Sequence, residues 1–202
     1  MRQSIVYSVK SRIFGHGRGW VFTLHNFADL GSDSGVRTAL SRLQEEKVIR
    51  RIAQGIYDYP KTHDVLGLLS PSVEDVANAY AEKNGAQIQA SGAYAANALG
   101  FSDQVPGRVV FLTNGPKGKV KIKNLTVIFK KTTVKNMHAA GTKEALVIQA
   151  FKFMGQKNIT ESMLQKTKKF LKQSRRKEFE KNIQYAPRWV RVILVNLMEN
   201  EI

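Results

Sequence analysis

The sequence predicts an α+β protein built in more than one part, and three observations carry that reading. Helical and strand-like hydrophobic periods succeed one another within the first sixty residues. Lysine alternates with apolar residues from Lys119 to Lys123, and the chain beyond about Lys143 keeps helical spacing. With 202 residues the chain is long enough to bury a real core without disulfides or structural metals, and it contains no cysteine. Thiol nucleophiles, disulfides and cysteine-ligated zinc or iron–sulfur sites are therefore excluded.

Residues 2–14 place Ile5, Val6, Val9, Ile13 and Phe14 at helical spacing and turn Arg2, Lys10 and Arg12 outward, which predicts an amphipathic helix. Gly15, Gly17 and Gly19 break it. Trp20-Val21-Phe22-Thr23 then reads as a short extended piece, and a second short helix from Leu24 to Leu30 ends at Gly31. Ser32 or Asp33 can cap a third helix, on which Val36, Leu40 and Leu43 form an apolar stripe. Its opposite face displays Ser34, Arg37, Thr38, Ser41 and Arg42. Two β-rich runs, Val48 to Ile52 and Ile56 to Tyr59, follow with Ala53-Gln54-Gly55 between them, a hairpin with glycine at the positive-φ position. Three helices followed by a basic hairpin is the order of a winged helix-turn-helix.

Pro60 and Lys61 mark a composition break, so residues 1–61 are read as one domain and 62–202 as a second, a small α+β domain with a mixed sheet ending in a helical region from about residue 139. Ser72 and Asp75 approximate a capping box for a helix that runs to about Lys83 and stops at Asn84-Gly85. Residues 86–90 can form a strand, and 92–99 a small-residue helix closed by Gly100. Val109 to Thr113 reads as a buried strand, followed by the turn signal Asn114-Gly115. The alternation at 119–123 puts Lys119, Lys121 and Lys123 on one strand face, and Leu125 to Lys131 continues the sheet. Leu146, Val147, Ala150, Phe151 and Met154 mark one C-terminal helix, and Thr160-Glu161 to Lys172 another. In the last segment, Lys177 to Asn200, Pro187 forces a kink or division.

Charge narrows the partner. The chain carries 32 Lys and Arg against 16 Asp and Glu, a formal net charge of +16, which points to a polyanion. Segments 1–61, 101–138 and 139–202 are net basic, whereas residues 62–100 are net acidic. A DNA major groove admits one α-helix, whose hydroxyl and guanidinium groups reach base edges. Ser34, Arg37, Thr38, Ser41 and Arg42 have that chemistry, while Arg50, Arg51 and Gln54 on the hairpin suit phosphate or minor-groove contact. Lys119, Lys121 and Lys123, together with Lys168, Lys169, Lys172, Arg175 and Arg176, form secondary basic patches that suit nucleic acid or a plainly solvated surface equally.

No catalytic constellation emerges. The four histidines are scattered and none pairs with another at i+3 or i+4, so no metal is expected. Gly15-His16-Gly17-Arg18-Gly19 follows a helix and precedes a strand, the reverse of a dinucleotide site. Gly115-Pro116-Lys117-Gly118-Lys119 lacks the spacer and hydroxyl of a P-loop, and no Asp-x-Asp follows Gly31-Ser32. The reading is a binding protein without enzymatic activity or cofactor. No window approaches the roughly 18 apolar residues of a membrane span, so a soluble, cytoplasmic protein is expected.

Ala39 to Leu43, the run Ile49 to Pro60, Ser70-Pro71-Ser72, Ser91 to Gly100 and Gln104-Val105-Pro106 together resemble the abortive-infection AbiE-type antitoxins, also described as DUF6088-like regulators. The resemblance covers roughly residues 1–155, and Gly92-Ala93-Tyr94-Ala95 with the downstream Gln104-Val105-Pro106 is its most telling part. It implies a bacterial repressor that binds inverted repeats in the double-stranded DNA of its own operon, and an antitoxin countering a nucleotidyltransferase-like toxin. Arg37, Thr38, Ser41, Arg42 and the hairpin arginines would then be the DNA contacts. The chain departs from the pattern at Glu46-Lys47, where the related turn often carries a glycine. A non-specific nucleic-acid or RNA-binding module dominated by the basic C-terminal half is the alternative reading, and an enzyme acting on a nucleotide or RNA is a more distant third.

Overall fold

In the computed structural model, which describes residues 4–199, the first helix α1 (Ile5–His16) starts at Ser4, whose hydroxyl accepts from the Tyr7 amide at 3.3 Å. Arg2 of the expected helix lies outside the described residues. α1 continues through Gly15 and His16 and stops at Gly17, which takes φ +85°. The chain divides into two compact units, residues 1–86 with 119–127 and residues 87–118 with 128–202.

In the first unit, β1 (Val21–Thr23) leads into a 3-10 turn at Leu24–Phe27 in place of the expected helix from Leu24 to Leu30. Leu24, Phe27 and Leu30 recur every third residue, the period of a 3-10 rather than an α-helix, and all three pack on the core. The Asn26 side chain accepts from the Thr23 amide at 2.7 Å and closes the turn. Arg12 holds the same turn against α1, donating to Asp29 at 2.5 and 2.6 Å and to the Asn26 carbonyl at 2.8 Å. Hydrogen bonds from Arg12 keep the Asp29 carboxyl down at about 2.

Ser32 then caps α2 (Asp33–Glu45), accepting from the Gly35 amide at 3.3 Å. Its end is set by Lys47, which adopts φ +58°. The Lys47 amide donates to Gln44 and the Val48 amide to Leu43, the paired bonds of a Schellman motif, with Val48 and Leu43 in one apolar cluster. The conformation that favours glycine is thus present where the sequence supplies lysine. β2 (Arg50–Ala53) and β3 (Ile56–Asp58) follow, with Gly55 at φ +70° between them, and the sheet order is β1-β3-β2. Val9, Ile13, Phe22, Phe27, Leu40 and Leu43 fill the core beneath. Trp20 lies over Phe22 at 4.7 Å between ring centres.

An additional two-stranded hairpin, β4 (Thr62–His63) and β5 (Gly67–Leu68), has no counterpart in the sequence reading. Its strands are two residues long and exposed, so no apolar period announces them. The His63 Nδ1 closes the loop by accepting from the Val65 and Leu66 amides. α3 (Val73–Lys83) begins where expected, Ser72 accepting from the Asp75 amide at 3.0 Å, and buries Val76, Ala77, Ala79 and Ala81.

The sheet of the later chain has the order β6-β7-β9-β8, with β6 at Ile88–Ser91, β7 at Arg108–Thr113, β8 at Gly118–Ile122 and β9 at Leu125–Lys131. Along β8, Val120 and Ile122 are buried while Lys119 and Lys121 are exposed, as the alternation requires. Lys123 departs from it. It sits in the β8–β9 turn at φ +50° and donates to the Leu68 carbonyl at 3.2 Å, because the strand ends at Ile122 and the reversal falls on Lys123-Asn124.

Helices of the second unit are α4 (Gly92–Ala98), α5 (Val134–Met137), α6 (Lys143–Met154), α7 (Glu161–Leu171), α8 (Arg176–Ile183) and α9 (Arg188–Glu199). α6 is central, with Val147, Ile148, Ala150 and Phe151 buried against Ala95 and Ala96 of α4 and against α8 and α9. Alanine at those α4 positions lets the two helices approach closely. Phe151 stacks on Trp189 at 6.3 Å. The last segment is divided before Pro187, as expected. Asn200 lies outside the described residues. Among the described residues the protein is therefore a mixed α+β structure with several small sheets.

Candidate nucleic-acid interface

The period of α2 separates its two faces completely. Val36, Ala39, Leu40 and Leu43 are buried, and Ser34, Arg37, Thr38, Ser41 and Arg42 are all exposed. Three of the five are lightly engaged by local hydroxyl contacts: the Ser34 hydroxyl lies 3.2 Å from that of Ser32, the Thr38 hydroxyl donates to the Ser34 carbonyl at 2.9 Å, and that of Ser41 meets Glu45 at 3.5 Å. Arg42 lies 3.5 Å from Glu46 in an exposed pair, a geometry worth little in water and readily exchanged for another anion. Arg37 has no hydrogen-bond or ion-pair partner among the described residues.

The hairpin is tied to the last turn of this helix. The Leu43 carbonyl of α2 accepts from the amides of Val48 and Ile49, at 2.9 and 3.3 Å, immediately before β2. The two hairpin arginines then take opposite roles. Arg50 faces Asp58 in the cross-strand register and donates Nε and Nη2 to it at 3.0 and 2.5 Å, with a third bond from Nη2 to the Leu69 carbonyl at 2.7 Å. Asp58 is only 1% exposed. Arg51, opposite Tyr57, is exposed with no partner among the described residues. Gln54 sits exposed at the tip, its carbonyl accepting from Lys83 at 2.6 Å. The structure thus joins Arg37, Thr38, Ser41, Arg42, Arg51 and Gln54 on one unit as available polar groups, and it commits Arg50 to the fold.

Arg18 is committed too. Its guanidinium lies 4.8 Å over the Tyr59 ring and donates to the Pro60 carbonyl at 3.0 Å, so the glycine-rich stretch is an anchored connection. Of the secondary patches, Lys119, Lys121, Lys169 and Lys172 are exposed and Lys168 is half-buried. Arg175 and Arg176 pair along their helix with Glu178 at 3.8 Å and Glu180 at 3.1 Å.

Among the described residues of the second unit, Glu144 near the start of α6 is a buried carboxylate. Ser174 donates to it at 2.5 Å and Asn182 at 2.9 Å. Burial alone pushes this carboxyl up, but hydrogen bonds from Ser174, its own backbone, Asn182 and Thr142 outweigh that and hold it below the ordinary glutamate value. It fastens α6 to α8 and its approach. Among the described residues no group of three or more His, Asp or Glu is placed to hold a metal ion, and no helix is long and apolar enough to cross a membrane.

The model of DUF6088, a family of unknown function, matches residues 8–179. The chain belongs to the DUF6088 family. In this DUF6088 protein the match begins inside α1 and ends inside α8, so it takes in α2, the β2–β3 hairpin, the four-stranded sheet and both α6 and α7. No curated protein matches the chain.

Sequence reasoning passed over Asp58, the residue that removes Arg50 from the exposed set. The signal was present: once Gly55 fixes the hairpin, Arg50 and Asp58 fall opposite each other as unlike charges. It also passed over Lys143, which the fold gathers with Lys166, Lys169 and Lys172 around one cleft. No sequence signal pairs residues from different helices in this way.

Proposed function

We propose that this DUF6088 protein is a sequence-specific DNA-binding repressor whose residues 1–61 act as a winged helix-turn-helix. The observation that carries the reading is the outer face of α2. It is a complete row of short hydroxyl and guanidinium side chains on a helix whose other face is fully buried, followed directly by a hairpin with a free arginine at its edge. The order α1, β1, 3-10 turn, α2, β2, β3 with strand order β1-β3-β2 supports the same reading, with α2 as the recognition helix and the hairpin as the wing. Arg37, Thr38, Ser41 and Arg42, with Ser34 at the helix start, read base edges. Arg51 and Gln54 hold phosphate or enter the minor groove, while Arg50 shapes the wing from within.

In the same proposal the protein is an AbiE-type antitoxin. It represses its own operon through inverted repeats and counters a nucleotidyltransferase-like toxin, with no cofactor and no catalysis of its own. The basis is the resemblance of the Ala39–Leu43, Ile49–Pro60 and Ser91–Gly100 blocks.

The test separates base readers from phosphate holders. Arg37→Ala and Arg42→Ala should each cost about 1–3 kcal/mol on the operator and little on random duplex. Arg51→Ala should weaken both equally and reduce the salt slope by about one. Equal losses on both DNAs for Arg37→Ala and Arg42→Ala would defeat the assignment of α2 as the reading helix.

A further inference from the structure

A cleft of about 800 Å³ opens in the second unit between the end of α4 and the length of α7. Four ammonium groups line it: Lys143 at the start of α6, Lys166 and Lys169 one helical turn apart on α7, and Lys172 at the C-cap of α7. Among the described residues no carboxylate lines it. The nearest in sequence, Glu144, is turned inward onto Ser174 and Asn182. Like charges lining one cleft repel one another, and a concave wall concentrates their field, so the cleft favours an anion of more than one charge.

Its floor is different in character. Ala98, Leu99 and the half-buried ring of Phe170 supply apolar surface. The Lys143 ammonium lies 5.5 Å from the Phe170 ring centre, and Lys166 donates to the Gly100 carbonyl, which holds that lysine at the cleft wall. An aromatic ring beside a ring of ammonium groups matches a ligand that joins a flat, apolar part to several negative charges. That is the make-up of a nucleotide, and base stacking on an aromatic side chain together with lysine contacts to phosphate is the general means of holding one.

We propose that this cleft binds a nucleotide carrying two or more phosphates, free or at the end of a strand, with its base against Phe170 and its phosphates among Lys143, Lys166, Lys169 and Lys172. The site lies in the second unit and does not depend on DNA binding by α2 and the hairpin.

The experiment is calorimetric titration of the full chain with ATP, with inorganic triphosphate, and with a short single-stranded RNA bearing a 5′-triphosphate. ATP should saturate one site and bind at least about tenfold more tightly than inorganic triphosphate, the margin a stacked base supplies. Phe170→Leu should erase that margin while leaving triphosphate affinity intact, and Phe170→Tyr should restore it. Lys169→Gln with Lys172→Gln should weaken both ligands at least about tenfold. Arg37→Gln with Arg51→Gln, which removes the same charge from the first unit, should change neither by more than about twofold. RNA that binds more tightly than ATP and is displaced by it identifies a strand end as the ligand, and equal affinities identify the free nucleotide. No saturable binding of ATP by about 1 mM, equal affinity for ATP and triphosphate, or equal losses in the two charge-removal pairs would overturn the proposal.

Discussion

Replacing Arg50 by alanine should unfold the first unit more readily without first touching DNA, whereas replacing its neighbour Arg51 should do the reverse. Arg50 makes a bidentate contact to Asp58 and a third bond to the Leu69 carbonyl, and Asp58 is 1% exposed. Removing the arginine leaves a carboxylate in the protein interior with no cation beside it. Breaking a buried pair in this way costs about 3–5 kcal/mol. The Arg50 side chain itself is 28% exposed, so water repays part of that, and a loss of about 2–4 kcal/mol is expected. Arg50→Lys keeps the charge but not the fork, and should fall between alanine and wild type. Urea unfolding followed by Trp20 fluorescence in a Trp189→Phe background reads the first unit, since Trp20 packs in its core and Trp189 belongs to the second. Arg51→Ala should remain within about 0.5 kcal/mol of wild type in the same assay. An Arg50→Ala loss below about 1 kcal/mol, or an equal loss for Arg51→Ala, would refute the division of roles between the two arginines.

Lys47→Gly should stabilise the first unit by about 0.5–1 kcal/mol, because relief of the left-handed conformation at φ +58° exceeds the added freedom of the unfolded chain; a lower urea midpoint would contradict this. Leu40→Ala should cost about 2–5 kcal/mol in the same measurement, since Leu40 is fully enclosed beneath the proposed reading face. Glu144 titrates below its ordinary value in the folded chain, so its contribution is complete at neutral pH and disappears as pH falls through the folded value. Glu144→Gln should therefore lower stability at pH 7 by about 1–2 kcal/mol and flatten the decline toward acid, whereas stability curves that run parallel to wild type would exclude this role.

Local chemistry explains what was legible in the sequence. Ser32, Ser72 and Thr160 each announce a helix because a hydroxyl beside free amides is a local device, and each hydroxyl accepts the amide three residues on. Val120 and Ile122 reveal a strand because its period is two, and Pro187 marks a division because it cannot donate. The exposed row on α2 was readable for the same reason: Val36, Leu40 and Leu43 fix the buried face, and the remainder follows.

What escaped depends on partners distant in sequence or on elements too short to carry a period. Arg50 counts as an exposed wing cation until Asp58 is placed opposite it. The β4–β5 hairpin and the single turn of α5 bury too little to leave a pattern. The lysine cleft unites α4, α6 and α7, and only the packing of the second unit discloses it.

The central claim is that the α2 face reads sequence, and fluorescence anisotropy tests it directly. The full chain is titrated with a labelled duplex from immediately upstream of its own gene and with a shuffled duplex of equal length, across a salt series. The account predicts a preference of at least about a thousandfold for the upstream duplex that persists at physiological salt. Equal affinities for both duplexes, falling together steeply with salt, would contradict it.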